Sequence, residues 1–85
     1  MASTALTGLY RGVVTDARDD SGLARLKVSI PLITGTGSVW AFPCFSDPDP
    51  KKRPEVRTGD GVWIMFEGGD RAYPVWVGFY GTRAP

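Results

Sequence analysis

Apolar and polar side chains alternate along most of this chain, and the alternation divides it into short strands. From Leu9 to Asp16 the sequence Leu-Tyr-Arg-Gly-Val-Val-Thr-Asp is rich in aromatic and β-branched residues. Its period of two puts Tyr10, Gly12 and Val14 on one face of a first strand. A glycine in mid-strand, Gly12, predicts a bulge or a tight barrel bend. Asp19-Asp20-Ser21-Gly22 is a turn by composition, since Asx side chains bond their own backbone and glycine accepts positive φ. A second strand follows from Ala24 to Ile30, with Leu26, Val28 and Ile30 on one side and Arg25, Lys27 and Ser29 on the other. Pro31 lacks a backbone donor and ends that ladder, and Thr34-Gly35-Thr36-Gly37-Ser38 reads as a loop.

A third strand begins near Val39 and Trp40 and is cut short by Pro43. Residues 46–59 contain Pro48, Pro50 and Pro54, a density that excludes a long helix. The fourth strand, Gly61 to Glu67, sets Val62, Ile64 and Phe66 against Trp63, Met65 and Glu67. The fifth, Pro74 to Tyr80, sets Val75, Val77 and Phe79 against Trp76, Gly78 and Tyr80, and Gly68 and Gly69 supply the positive φ of the turn between the two. Both faces of these last strands carry large apolar groups, so a second surface is needed to cover them. The pattern predicts an all-β chain, a small five-stranded antiparallel barrel with long loops and no significant helix; OB and SH3-like barrels both fit. Val14, Leu26, Val28, Ile64, Phe66 and Val77 are the expected core. Trp63, Trp76 and Tyr80 are the expected subunit or partner contacts, because interface cores favour aromatic side chains. Residues 1–8 show no sustained period and are expected to form a flexible arm, with the barrel over 9–81 and a short tail over 82–85.

Size sharpens the need for a partner. A chain of 85 residues buries only about 60% of the surface its unfolded form exposes. Cys44 is the only cysteine and there is no histidine, so neither a disulfide within the chain nor a histidine metal site can add stability. Ten basic and nine acidic side chains nearly cancel, which removes the field that would steer the protein to nucleic acid or an anionic membrane. The longest apolar runs are far shorter than the roughly 20 residues that cross a bilayer, and residues 1–9 lack the pattern of a secretion signal.

Candidate chemistry is sparse. The commonest catalytic base is missing, and Cys44, between Pro43 and Phe45, reads as a small buried hydrophobe rather than an activated thiol. Asp16, Asp19 and Asp20 fail the calcium-loop pattern, because Ser21 and Lys27 occupy its glycine and glutamate positions. Gly35-Thr36-Gly37 lacks the remaining residues of a dinucleotide or phosphate loop. Lys51-Lys52-Arg53 reads as a solvated loop tip among Asp47, Asp49 and Glu55. Tyr10, Trp40, Trp63, Trp76 and Tyr80 would suit stacking on single-stranded nucleic acid, yet no basic stripe accompanies them. The chain is therefore expected to have no catalytic residues, no cofactor and no metal.

Five pieces occur in order: Tyr10-Arg11-Gly12-Val13-Val14 before an Asp-rich turn, Arg25 to Pro31, Trp40 to Pro43, Pro54 to Gly61, and Phe66 to Asp70 leading into Pro74 to Gly78. Together they resemble the OB-fold barrel of phage baseplate hub and spike proteins, which type VI secretion spike proteins share. The resemblance implies a barrel whose usual helix between strands three and four is replaced by a loop. It also implies a homotrimer on the tail axis, with a baseplate hub protein and a separate spike or tip as partners. Most relatives continue into a β-helical needle; with Gly81-Thr82-Arg83-Ala84-Pro85 after the last strand, the expectation is a barrel without its own needle or lysozyme-like domain. The role so implied is that of a non-enzymatic adaptor or plug at the distal tube, a virion component made in the host cytoplasm, without stable membrane insertion and without nucleic acid as a partner. Two alternatives stay open: a free-standing OB module for single-stranded nucleic acid, and an SH3-like module for proline-rich peptides.

Overall fold

The computed structural model describes residues 5–81. Five strands, β1 (Tyr10–Asp16), β2 (Leu26–Ser29), β3 (Val39–Pro43), β4 (Gly61–Phe66) and β5 (Pro74–Gly81), close into a barrel in the order β1-β2-β3-β5-β4. Each expected strand is present, within two residues of its expected ends. Among the described residues the only α-helical element is a single turn, Pro31–Thr34, where Pro31 supplies a pre-set φ and the Thr34 hydroxyl accepts from the Ile30 N–H at 3.0 Å.

The barrel is mixed, and this corrects the expectation of purely antiparallel pairing. β1–β2, β1–β4, β2–β3 and β4–β5 are antiparallel, but β3 and β5 run parallel through Phe42↔Val75 and Pro43↔Trp76. The reason is parity. Strand direction reverses at every antiparallel junction, and a closed ring with an odd number of strands must contain a junction where it does not. The Cys44 N–H extends the parallel seam to the Trp76 carbonyl at 3.0 Å.

Three register shifts set which side chains face inward, one of them on β4–β5 where Gly61 pairs with Gly81 and Val62 with Phe79, which leaves Tyr80 as an extra residue. On β1, Val14 pairs with Val28 and Asp16 with Lys27, so Thr15 is the extra residue. Gly12 therefore marks no bulge. It is buried, and a Cβ there would lie 3.0 Å from Ile64 Cγ1, so the glycine makes room for the core. On β5, Trp63 pairs with Gly78 and Ile64 with Trp76, which leaves Val77 as the extra residue. Strict alternation is therefore lost along β5: Trp76 is buried, whereas Phe79, paired with Val62, is 39% exposed.

The core consists of Val14, Leu26, Val28, Ile30, Ala41, Val62, Ile64, Phe66 and Trp76. Val77 is only half-buried, and Trp76, expected at a subunit contact, takes the central place with 1% of its surface exposed. Its ring meets Phe45 edge-on at 4.6 Å and Phe79 at 6.1 Å, and its Nε1–H donates to the Ala24 carbonyl at 3.4 Å.

The long β3–β4 connection closes one end of the barrel by packing Phe45 and Val56 onto the core. At the other end Leu6 packs on the core, and its N–H donates to the Gly69 carbonyl at 3.0 Å. The last four residues of the expected arm are thus represented by a segment lying against the β4–β5 turn. Residues 1–4 of that arm and the expected tail at 82–85 lie outside the described residues.

Candidate subunit-contact face

β1, β4 and β5 are neighbours in the ring, and their outward side chains form one surface. The register aligns Arg11 with Trp63, Trp63 with Gly78, and Met65 with Val75. Trp63 and Tyr80 lie 5.3 Å apart, centroid to centroid, and the Arg11 guanidinium stacks 5.4 Å from one ring and 4.9 Å from the other. Two glycines permit this arrangement. Gly78 leaves Trp63 without a facing side chain on β5, and the Tyr80 ring lies over Gly61, where a Cβ would fall 2.5 Å from Cζ. Met65, 41% exposed, Val13 and Tyr80 extend the patch to solvent. Trp63 and Tyr80, two of the three expected contact residues, are therefore brought together on the outside of the barrel. Trp76 is not with them, because the bulge at Val77 turns it inward and leaves it no surface to offer a partner.

A second cluster joins Arg25, just before β2, to side chains of β2 and β3; of its members the sequence pointed only to Trp40 as a stacking ring. Arg25 stacks 4.9 Å from Trp40 and 5.6 Å from Phe42, while Lys27 approaches Trp40 at 5.8 Å. The signal was available in the register, which pairs Lys27 with Trp40. Arg25 is not a free cation, however. Its Nε donates to Asp19 Oδ2 at 2.9 Å and its Nη2 to Asp19 Oδ1 at 3.1 Å, while the Ser21 hydroxyl donates to Oδ1 at 2.6 Å. Arg25, then Ser21, hold the Asp19 carboxyl well below the usual carboxylate range, and Asp19 in turn pushes the Arg25 guanidinium up. The β1–β2 turn is thereby clamped to the start of β2.

Other candidates fall apart chemically. Cys44 is exposed rather than buried, because it follows β3 where the chain leaves the sheet. Asp16 and Asp19 cap the N–H groups of Arg18 and Ser21, as turn aspartates do. Among the described residues no three acidic or cysteine side chains gather to hold a metal ion. Arg53 is no solvated tip: it is half-buried, its guanidinium lies 5.5 Å from the Phe45 ring, and its Nη1 donates to the carbonyls of Asp47 and Asp49. No helix among the described residues is long and apolar enough to cross a membrane.

The barrel thus carries two aromatic–cation clusters on its outer surface, one on β1, β4 and β5 and one at β2 and β3. A family model described as the type VI secretion system/phage-baseplate injector OB domain matches residues 10–80, which is the barrel from the start of β1 to the end of β5. No curated protein matches the chain.

Proposed function

The chain belongs to the type VI secretion system/phage-baseplate injector OB-domain family, and on that premise we propose that it is a non-enzymatic, homotrimeric adaptor joining a baseplate hub to a spike or tip at the distal end of the tube. Membership makes it a component of a phage baseplate or related injection machine. The observation that carries the finer reading is the outer face of β1, β4 and β5. Its Trp63–Tyr80–Arg11 stack and its exposed Val13 and Met65 lie on a barrel whose core is already filled by Trp76. Such a face contributes little to a lone copy, whereas three copies around an axis cover it by symmetry.

Light scattering across a range of concentrations tests the reading. A mass of three copies is expected, with Met65→Arg reducing the protein to single copies while its melting temperature at low concentration stays within a few degrees. A single-copy mass at every concentration would overturn the trimer.

The β2–β3 cluster favours a second reading, a stacking site for single-stranded nucleic acid, since aromatic rings beside cations suit such strands. It is the weaker one, because Asp19 neutralises Arg25 and only Lys27 is left to meet phosphate at that cluster. Salt-sensitive binding of an oligonucleotide, lost in Trp40→Ala, would replace the adaptor reading with this one.

A further inference from the structure

A cleft of about 450 Å³ opens between the β1–β2 loop and the β3–β4 loop, away from the β1–β4–β5 face. Its walls are apolar, formed by Ala17, Leu26, Pro54 and Val56, and Lys51 and Arg53 line it as well. Asp19 is the acidic side chain of the lining, and it is fully engaged by Arg25. The cleft thus carries the excess positive charge of two further cations. Arg53 adds a more specific feature. Its Nη1 is held by the Asp47 and Asp49 carbonyls, while its buried Nε–H finds no acceptor among the described residues. A buried donor without an acceptor is unfavourable, and the side edge of a guanidinium matches the two oxygens of a carboxylate.

We propose that this cleft docks an acidic segment of another polypeptide. A glutamate or aspartate carboxylate meets the ammonium of Lys51 and, once the Arg53 side chain turns to uncover it, the Nε edge of Arg53, and a neighbouring aliphatic side chain lies against Ala17, Pro54 and Val56. Charge complementarity selects the acid, and the apolar walls select a peptide over a free anion. A cleft of this volume is in the range that accommodates small ligands and short side-chain groups. The site is independent of the trimer reading, since its residues lie on one copy and off the proposed contact face.

The experiment is a titration followed by ¹H–¹⁵N spectra, reading the backbone amides and the Arg53 Nε–H. The probe is acetyl-Val-Glu-Val-amide, compared with acetyl-Val-Gln-Val-amide and with acetate. Saturable shifts at Arg53 Nε–H and at the amides of Gly22, Lys51 and Val56 are expected with the glutamate peptide. Binding should be at least tenfold weaker with the glutamine peptide, with acetate, and in Lys51→Glu, whose exposed side chain can change without disturbing the barrel. Arg53→Lys keeps the charge but loses the guanidinium edge, so binding should weaken there too. Equal response to the two peptides, or shifts confined to Trp63 and Tyr80, would overturn the proposal; so would acetate matching the peptide, or full binding by Arg53→Lys.

Discussion

Trp76→Ala separates a core tryptophan from a contact tryptophan. The side chain is 1% exposed and touches Phe45, Phe79 and the Ala24 carbonyl, so truncation empties the middle of the barrel. Burying about 200 Å² of aromatic surface at about 25 cal/mol/Å² contributes about 5 kcal/mol, and the edge-on partner adds about 1 kcal/mol. Measured truncations of buried tryptophan cost about 3–5 kcal/mol, because neighbours relax into part of the space. A chain of this length has a total stability of only about 4–13 kcal/mol. The variant should therefore sit near the edge of unfolding, with a melting temperature lower by about 12–40 °C, taking about 4–8 °C per kcal/mol for a domain of this size. The assay is thermal and urea denaturation monitored by far-UV circular dichroism, at a protein concentration low enough to hold single copies. Trp76→Phe, which restores much of the volume, should recover more than half of the loss. If Trp76→Ala melted within a few degrees of wild type and differed only in assembly, the inward placement of this residue would be refuted.

Gly61→Ala should cost about 1–3 kcal/mol by forcing the Tyr80 ring off its seat, and most of that cost should vanish when Tyr80 is already alanine. Urea midpoints of the two single variants and the double variant measure the coupling, and simple additivity would contradict the contact. Asp19→Asn should lower stability at neutral pH and flatten its fall in acid. The folded carboxyl of Asp19 titrates below its unfolded value of about 4, so its contribution is complete above that pH and is lost as pH drops through the folded value. Urea midpoints between pH 6 and pH 2 should show wild type and variant converging, and a constant gap would refute the clamp.

Strand positions were legible because period-two alternation, Pro31, Pro43 and the glycine turns leave little freedom in where a ladder starts and stops. Which face of β5 points inward was not. Val75, Val77 and Phe79 compete with Trp76 and Tyr80, so both parities are apolar, and the bulge at Val77 that decides between them is marked only by the neighbouring Gly78, a signal that does not say which parity turns inward. The parallel β3–β5 seam, by contrast, follows from five strands closing on themselves. Trp63 could be read as an outward residue from alternation, whereas Tyr80, which alternation places with Trp76, and Arg11, stacked on both rings, needed the β4–β5 and β1–β4 registers. The Arg25–Asp19 clamp and the path of Arg53 depend on how loops fold back, which local composition does not encode.

The placement of Trp76 changes the meaning of the remaining aromatics. If the largest side chain of β5 lay outside, the outer face would be one expanse of apolar surface and the core would lack its centre. With Trp76 inside, the barrel has a filled interior in which five of the six anticipated core positions are buried: Val14, Leu26, Val28, Ile64 and Phe66. Trp63, Tyr80, Met65 and Val13 are then surplus to the interior, yet they lie together on adjacent strands rather than scattered. Scattered exposed apolar groups need no explanation, but a contiguous set built on two accommodating glycines does. Gly61 and Gly78 sacrifice side chains beneath Tyr80 and beside Trp63, and that cost to strand stability is understandable if the outer face is shaped for a partner.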